Sequence, residues 1–279
     1  MRIHFCGVRG SLPAVGREYA TVGGNTSCVA ISHDEDPTPS LVLDAGTGLR
    51  TLARLLDGSA FHGSLILGHC HWDHVIGLAF FSAGDRIDSR VRVLLPEQGT
   101  PAEELLERMM SPPLFPILPS NLRGDWTFET YDEGIFDLEG FQMMAREIPH
   151  KGGRTMGLRI SDGRSSIAYL SDHAPRNIGP GVDGLGEIHQ AALDLVDGVD
   201  VLIHDAQYAD NELDDRADWG HSAANYAVTL GHECGVGRIL LFHHDPSRTD
   251  DQVFGLRSSL HVPDGMVVDV AIEGAEIRL

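Results

Sequence analysis

Four side chains that can bind a metal ion occur within six consecutive positions of the sequence. They are His69, His71, Asp73 and His74, and they follow an apolar run. In extended backbone residues i and i+2 point to the same side, so His69 and His71 can bind one cation together. A helix starting near Val75 would turn the other two side chains toward a second point nearby. Two imidazoles for one cation, and an imidazole with a carboxylate for the next, suit borderline cations such as Zn²⁺.

Further histidines and aspartates follow other apolar, β-branched runs. These residues are His150, Asp172, the pair His204 and Asp205, and the pair His243 and His244. Because strand ends are rigid and loops at one edge of a sheet can converge, such positions can assemble one site from distant sequence. Asp172 has a plainer interpretation as the cap of a turn. Only one residue of each adjacent pair should point into a shared site, since neighbours in a strand face opposite sides.

The elements that would position these residues can be predicted from hydrophobic periodicity. Ten runs are typical of strands, namely SCVAI, SLVLDAGTG, SLILGHCHWDH, VRVLLP, WTFETYD, FQMMAREIPH, SSIAYLSDHA, VDVLIHDAQ, RILLFHHD and MVVDVAIEGAEIRL. Helices are predicted at Leu49–Leu56, Pro101–Met110, Gly186–Asp197, Ser222–Cys234 and Asp250–Leu260. Ser222 is the expected N-cap of the fourth helix, and Gly235 is its expected C-terminal stop. We expect sheets covered by helices in a single domain, residues 1–279.

One segment, residues 109–122, carries four prolines and can be neither a helix interior nor a central strand. Its apolar residues predict either that it packs along the edge of the domain or that it borders a substrate cleft. The two interpretations are compatible with each other.

Composition narrows the class of protein. The formal net charge of −20 argues against a wide surface that tracks a nucleic-acid backbone, but a small anionic substrate is compatible if metal ions supply positive charge. The only lysine is Lys151. The four cysteines show no C-x-x-C pair and no disulfide framework. Since there is no apolar run of membrane-spanning length and no signal-like start, we expect a cytoplasmic protein without a membrane segment.

The motif HCHWDH, residues 69–74, fits the H-x-H-x-D-H signature of the metallo-β-lactamase-fold hydrolases. GVRGSLPAVG, VGGNTSCVAI and LVLDAGTG near the start, and WGHS at residues 219–222, resemble the branch of ribonuclease Z-like and cyclic-nucleotide phosphodiesterase-like members. The resemblance runs through essentially the whole chain. It implies an α/β (α+β) fold, a four-layer αββα sandwich of two mixed sheets packed face to face with helices outside.

The same resemblance implies a site for two divalent cations, with Zn²⁺ expected and Mn²⁺ or Fe²⁺ as alternatives. The ligands that it implies are His69, His71, Asp73, His74, His150, Asp172 and His243. Within this set Asp172 would bridge the two cations, and the family register favours His243 over His244.

The expected catalytic residues are Asp73, His221 and Asp205. His221 lies in the GHS element, and Asp205 could orient it as a carboxylate behind a histidine often does. The expected reaction is hydrolysis of a small, cyclic-nucleotide-like phosphodiester by a hydroxide that bridges the metals, with His221 assisting the leaving oxygen.

Alternatives remain at the level of the substrate. A lactonase or thioesterase shares the metal signature, and a metal-binding module with little turnover belongs to another class. A transfer-RNA endonuclease is disfavoured by the net charge and by the absence of a long basic, glycine-rich arm. We therefore expect a small anionic substrate and no extended nucleic acid as partners, with a homodimer plausible by analogy only.

Other residues have supporting interpretations. Asp44 could orient a ligand or hold a neighbouring loop, and Cys70 is expected to pack rather than bind metal. GVRGSLPAVG lacks the G-K-[ST] ending of a P-loop, so it is predicted to form a turn near the metal edge with Arg9 in reach of an anionic substrate. His173 is expected behind the site or at the surface. The histidines expected to be structural or exposed are at positions 4, 33, 62, 189, 232 and 261.

Overall fold

The computed structural model describes residues 1–279 apart from the side chain of Ala217. Within these residues the strands are β1 (Arg2–Gly7), β2 (Cys28–Ser32), β3 (Leu41–Leu43), β4 (His62–Ile66), β5 (Arg90–Pro96), β6 (Asp125–Tyr131), β7 (Gly134–Leu138), β8 (Phe141–Ile148), β9 (Thr155–Ser161), β10 (Ser166–Leu170), β11 (Val201–Asp205), β12 (Arg238–Phe242), β13 (Val267–Val270) and β14 (Glu276–Arg278). The α-helices are α1 (Leu49–Leu55), α2 (Trp72–Val75), α3 (Ala102–Glu107), α4 (Gln190–Val196), α5 (Leu213–Arg216), α6 (Ala224–Glu233) and α7 (Asp250–Ser259).

The strands form two mixed sheets of seven strands each. The first has the order β14-β1-β2-β3-β4-β5-β6, and the second has the order β13-β12-β11-β10-β9-β8-β7. β3 to β6 are parallel, as are β10 to β13. β8 runs in the same direction as β10, because each pairs antiparallel with β9 between them. The loops that follow β8, β10, β11 and β12 therefore leave the second sheet at one edge.

Three buried apolar layers hold the sheets and helices together. The central layer lies between the sheets, where the rings of Phe5 from β1 and Phe242 from β12 have centroids 6.4 Å apart. A second layer packs α1 and α3 on the outer face of the first sheet, through residues such as Leu52 and Leu106. A third packs α4 and α6 on the outer face of the second sheet, through residues such as Leu195 and Leu230. The predicted αββα sandwich is confirmed.

Most of the predicted elements are present with shifted ends. Each of the ten predicted strand runs overlaps a strand, the last run includes both β13 and β14, and β1, β7 and β9 occur in addition. α4 begins at Gln190 rather than Gly186, since His189 is extended (φ −117°, ψ 161°). α2 begins at Trp72 rather than near Val75, so two of the four motif side chains already belong to the helix.

The predicted cap of α6 was wrong at one end and confirmed at the other. The N-cap position is Ala223, and the Ser222 hydroxyl instead donates to the carbonyl oxygen of His173 at 2.5 Å. Gly235 follows the helix with φ 67°, a left-handed conformation that glycine adopts without steric cost and that ends a helix.

The proline-rich segment, residues 109–122, forms a wall beside α2. Met110, Pro119 and Leu122 are buried, whereas Leu114 is largely exposed. Its side chains and those of Trp72 line an apolar groove of about 320 Å³ next to the site described below. The segment thus packs at the domain edge and also borders the neighbourhood of the site. Among the described residues, no helix has the length and apolar character needed to cross a membrane.

Candidate metal centre

The predicted ligand residues converge where strands of the two sheets end. β4 is followed by the HCHWDH motif, β8 by His150, β10 by Asp172, and β12 directly by His243. The two aspartates Asp73 and Asp172 and the histidines around them are buried or nearly so. Residues far apart in sequence are therefore brought together by the common direction of parallel strands.

Three imidazoles form the first group of ligand atoms. Nε2 of His150 lies 3.3 Å from Nδ1 of His71, and the rings of His69 and His71 have centroids 4.4 Å apart. Oδ1 of Asp172 lies 3.8 Å from Nε2 of His69 and 3.7 Å from Nε2 of His150. These four residues could hold one cation with three nitrogens and one oxygen, a donor set that Zn²⁺ accepts.

A second group of ligand atoms lies on the other side of the same carboxylate. Oδ2 of Asp172 is 3.0 Å from Nε2 of His74 and 3.3 Å from Nε2 of His243. Oδ2 of Asp73 is 3.2 Å from both of these nitrogens. Asp172 thus presents one oxygen to each of the two groups of ligand atoms.

Buried acceptors fix the orientation of these imidazoles. His74 donates through Nδ1 to Oδ2 of Asp44 at 2.7 Å, and His150 donates through Nδ1 to the carbonyl oxygen of Gly220 at 2.6 Å. His243 donates through Nδ1 to Oε1 of Gln207 at 2.9 Å. In the neutral form of each ring this leaves Nε2, the atom that faces the other ligands, with a lone pair for a cation. Neither the Gly220 carbonyl nor Gln207 was predicted from the sequence.

Asp44 contacts both a predicted ligand and a neighbouring loop. Besides His74 it accepts from the backbone N–H of Gly68 at 2.8 Å and from the Tyr169 hydroxyl at 2.7 Å. Asp44 and His243 both have positive φ angles, 59° and 55°. Such left-handed backbone in residues other than glycine is strained and concentrates at functional sites.

The buried polar atoms of the site are those expected where a cation binds. Both ring nitrogens of His69 and Oδ2 of Asp172 are buried without a hydrogen-bond partner among the described residues. A buried polar atom with no partner is costly. A bound cation would satisfy Nε2 of His69 and Oδ2 of Asp172 directly, so the residues present fit a metal centre.

The electrostatics of the site favour neutral imidazoles in the first group. Burial lowers the pKa of His69 well below its usual range and lowers the pKa of His150 to about 4. His74 is the exception: burial would lower its pKa too, but Asp73 and Asp172 together raise it above the usual range. Binding of a cation next to His74 should therefore release a proton.

His221, with Asp205 behind it, lies next to both groups: its ring centroid is 5.4 Å from that of His150 and 4.9 Å from that of His243. His221 donates through Nδ1 to Oδ2 of Asp205 at 2.9 Å, and the same nitrogen is 3.6 Å from Oδ1 of Asp172. Burial would lower the pKa of His221, but the charge of Asp205 and this hydrogen bond raise it to about 8. His221 also lines an open cleft of about 580 Å³ that reaches Asp73 and Asp172.

The paired positions are resolved by their contacts. His243 faces the ligand cluster, whereas His244 donates through Nε2 to the carbonyl oxygen of Ala271 at 3.1 Å, away from it. Asp205 faces His221, whereas His204 points to the other side, where its Nε2 accepts from Nδ1 of His173 at 2.9 Å. His173 is thus buried behind the site.

The glycine-rich loop near the start reaches the site, but Arg9 does not. The backbone N–H of Ser11 donates to Oδ2 of Asp73 at 2.7 Å. The loop therefore lies near the metal edge, as expected from the sequence. The expectation for Arg9 was wrong: its guanidinium is fully buried, lies 3.2 Å from Oδ1 of Asp250, and donates to the carbonyl oxygen of Arg248 at 2.7 Å. Because a buried guanidinium needs a carboxylate and carbonyls around it, this arginine is committed to the fold.

Cys70 does not belong to the cluster of ligand atoms. It packs in part against the layer under α1 and α3, and burial raises the pKa of its thiol to about 12. A thiol is a good metal ligand only as the thiolate. The packing role expected for Cys70 is in keeping with this environment.

Comparisons with known proteins agree with this fold. The family model described as "Beta-lactamase superfamily domain" matches residues 40–244. Ribonuclease BN of Escherichia coli is 37% identical to this chain over 107 residues. The matched region covers 37% of this chain and 33% of that protein, so the chain spans about a third of the length of this curated relative. Two solved structures are similar over nearly their whole length. One is a diphosphatase from the PhnP family (TM-score 0.72, 15% identity, 100% of this chain and 97% of that chain). The other is the short form of human tRNase Z (TM-score 0.67, 19% identity, 100% and 99%).

Proposed function

The chain belongs to the β-lactamase superfamily, and from this premise we propose that it is a metal-dependent hydrolase of the ribonuclease Z-like branch that hydrolyses a small phosphodiester at a site for two divalent cations. The observation that carries the proposal is the position of Asp172, whose two oxygens face two separate groups of ligand atoms. His221, held by Asp205, stands beside that carboxylate.

The proposed ligands of the first cation are His69, His71 and His150, and those of the second are Asp73, His74 and His243, with Asp172 shared between them. Two cations bound there would supply positive charge for the phosphoryl oxygens and would lower the pKa of a bound water. Zn²⁺ suits this mixed nitrogen and oxygen set, and Mn²⁺ or Fe²⁺ are alternatives.

The chain's own residues contribute orientation and a proton. Asp44, Gln207 and the Gly220 carbonyl hold the Nε2 atoms of three imidazoles toward the cluster. Asp205 engages Nδ1 of His221, which leaves Nε2 as the atom able to act at the cleft. His221 can then donate a proton or a hydrogen bond to the leaving oxygen, a role typically worth 10²–10⁴ in rate.

Two further facts bear on the substrate: the first supports a phosphodiester, and the second supports a small one. The similar proteins include two named as ribonucleases and one named as a diphosphatase. A strongly acidic chain is poorly suited to a long polyanion, because such surfaces need many cationic side chains. A small phosphodiester whose charge is balanced within the cleft agrees with both.

The proposal is tested by assaying the metal-loaded protein on bis-p-nitrophenyl phosphate, a cyclic nucleotide, a lactone and a thioester. We expect turnover of the two phosphodiesters, and loss of that turnover in Asp172→Asn. Cleavage of the lactone or thioester with neither phosphodiester turned over would replace the proposal by carboxyl-ester hydrolysis. Two bound cations with no turnover of any substrate would indicate a metal-binding module.

A further inference from the structure

A second pocket lies beside the first group of proposed ligands. It has a volume of about 280 Å³ and shares His71 with the open cleft, and we name it the Thr155 pocket. Its polar side chains include His69, His71, Thr100, Arg108 and Thr155, whereas no aspartate or glutamate occurs among the described residues that line it. In a chain with a net charge of −20, such a lining favours an anionic ligand. Its volume suits a small one, since drug-sized ligands occupy larger sites.

Two buried polar atoms belong to residues of this lining and have no partner. They are Nδ1 of His69 and Oγ1 of Thr155, which form no hydrogen bond with any described residue. Nε2 of His69 lies 3.8 Å from Oδ1 of Asp172, so Nδ1 carries the proton when Nε2 offers its lone pair to a cation. A buried donor left without an acceptor is costly. An oxyanion in the pocket would accept from both groups.

The outer nitrogens of His69 and His71 differ from those of the other proposed imidazole ligands. The three other rings donate through Nδ1 to acceptors of the chain itself. His71 instead presents Nδ1 to the cluster, 3.3 Å from Nε2 of His150, so its Nε2 lies at the outer edge of the ring. A Cβ added to Gly152 would lie 2.9 Å from this Nε2, so the glycine leaves that edge uncovered. Histidines that bind metals usually donate their other N–H to an acceptor, and here the pocket is where that acceptor fits.

Arg108 supplies a positive charge at the rim of the Thr155 pocket. It is exposed at the end of α3, and its Nη2 donates to Oγ1 of Thr100 at 3.2 Å. Arg154 also lines the pocket, but its charge is balanced by ion pairs with Asp132 and Glu147. Arg108 forms no ion pair with a described carboxylate. Its planar guanidinium is therefore available to an oxyanion, which it can bind through two parallel hydrogen bonds.

We propose that the Thr155 pocket binds a free tetrahedral oxyanion of the size of phosphate, which accepts from Nδ1 of His69 and the Thr155 hydroxyl and pairs with Arg108. The proposal uses the proposed ligands of the first cation and makes no assumption about the reaction. A negative charge behind His69 makes Nε2 a better metal ligand. The oxyanion and the first cation should therefore strengthen each other's binding, by the same factor in both directions.

The position of the oxyanion is tested with selenate, which has the shape of phosphate and can be located by anomalous diffraction. Zinc-loaded crystals are soaked in selenate and measured on both sides of the selenium absorption edge. We expect a selenium peak in the Thr155 pocket, with selenate oxygens roughly 2.7–3.2 Å from Nδ1 of His69 and Oγ1 of Thr155. A peak only at the zinc ions, or water alone in the pocket, would overturn the proposal.

The coupling to the first cation is tested by titrating zinc against a fluorescent chelator, with and without selenate at constant ionic strength. Selenate should tighten one of the two stepwise zinc constants by about 10-fold in the wild type, and have little effect in Thr155→Val and Arg108→Gln. Ser32→Ala is the control for Thr155→Val, because it removes another buried hydroxyl without a partner from outside the pocket. Arg54→Gln is the control for Arg108→Gln, since it removes one exposed positive charge elsewhere. Both controls should respond as the wild type does.

Both readouts are independent of turnover, so they separate this site from the proposed function. Selenate bound in the Thr155 pocket of a protein that hydrolyses no phosphodiester would still support the site. An equal response to selenate in all four variants and the wild type would show that selenate acts at the zinc ions, which would overturn the site and leave the hydrolase intact. Thermal unfolding verifies that Thr155→Val is folded, as expected for a hydroxyl that has no partner in the chain.

Discussion

Replacing Asp44 by asparagine tests how the fold orients a proposed metal ligand. Oδ1 of Asp44 accepts from the Gly68 N–H, and Oδ2 accepts from His74 and from the Tyr169 hydroxyl. Asparagine has the same shape and tolerates the φ of 59°, so the backbone can stay in place. Its single oxygen must remain on the fixed Gly68 N–H, which turns the amide NH₂ group toward His74.

That change inverts the tautomer of His74. Facing a donor, Nδ1 of His74 becomes the acceptor and the proton moves to Nε2, the atom 3.0 Å from Oδ2 of Asp172. Nε2 then lacks the lone pair that a cation needs. Losing one charge-assisted hydrogen bond costs about 1.5–3 kcal/mol, which corresponds to roughly 10- to 150-fold in affinity for the second cation.

The assay is a competition titration of zinc between the protein and a fluorescent chelator, which yields two stepwise dissociation constants. We expect Asp44→Asn to weaken one constant by roughly 10- to 150-fold and to leave the other nearly unchanged. Tyr169→Phe removes one donor from Asp44 but keeps the carboxylate, and should weaken either constant by less than roughly 5-fold. Circular dichroism and thermal unfolding confirm that each variant is folded. Wild-type affinity at both sites in Asp44→Asn would refute the reasoning.

Four further variants test the site by elemental analysis and steady-state kinetics. His243→Asn should lose one of two cations and about 100-fold or more in activity, whereas His244→Asn should keep both cations; the reverse outcome would exchange their roles. Gly10→Ala should weaken the second cation by about 10-fold, because an added Cβ would collide with the His243 imidazole, and unchanged affinity would show that the ring can move aside. Asp205→Asn should keep both cations but lower kcat by ~10²–10⁴ on a cyclic nucleotide, and by less on a p-nitrophenyl ester, since only an alkoxide leaving group needs the proton of His221. Equal losses on both substrates would speak against proton donation.

The local part of the site could be predicted from the sequence, because its chemistry is written in adjacent residues. His69, His71, Asp73 and His74 need only one strand end and one turn to meet. Asp172 and the other distant ligands depend on how parallel strands align, and a lone aspartate after a strand is equally typical of a turn. The resemblance to a known family was required to select them.

Residues that orient the ligands were harder to predict than the ligands themselves. Gln207 follows β11 and accepts from His243, which follows the neighbouring strand β12, and His150 donates to a backbone carbonyl, that of Gly220. No spacing in the sequence signals either contact. Asp44 was found because it ends an apolar run, the same signal that identified the ligands.

The incorrect predictions have tertiary causes. An arginine in a glycine-rich loop resembles an exposed, substrate-facing cation, yet Arg9 is enclosed because Asp250 arrives from the far end of the chain. Ser222 precedes a helix as an N-cap would, but its hydroxyl donates to the carbonyl oxygen of His173, and Ala223 occupies the N-cap position. β7 and β9 were not predicted, because glycines and charged residues interrupt them and their pairing with β8 supplies the order.

The central claim is that Asp172 bridges two cations, and anomalous diffraction from zinc-loaded crystals tests it most directly. We predict two anomalous peaks, one among His69, His71 and His150 and the other beside His74, roughly 3.5–4 Å apart with Asp172 between them. A single peak, or peaks outside this cluster, would contradict the account.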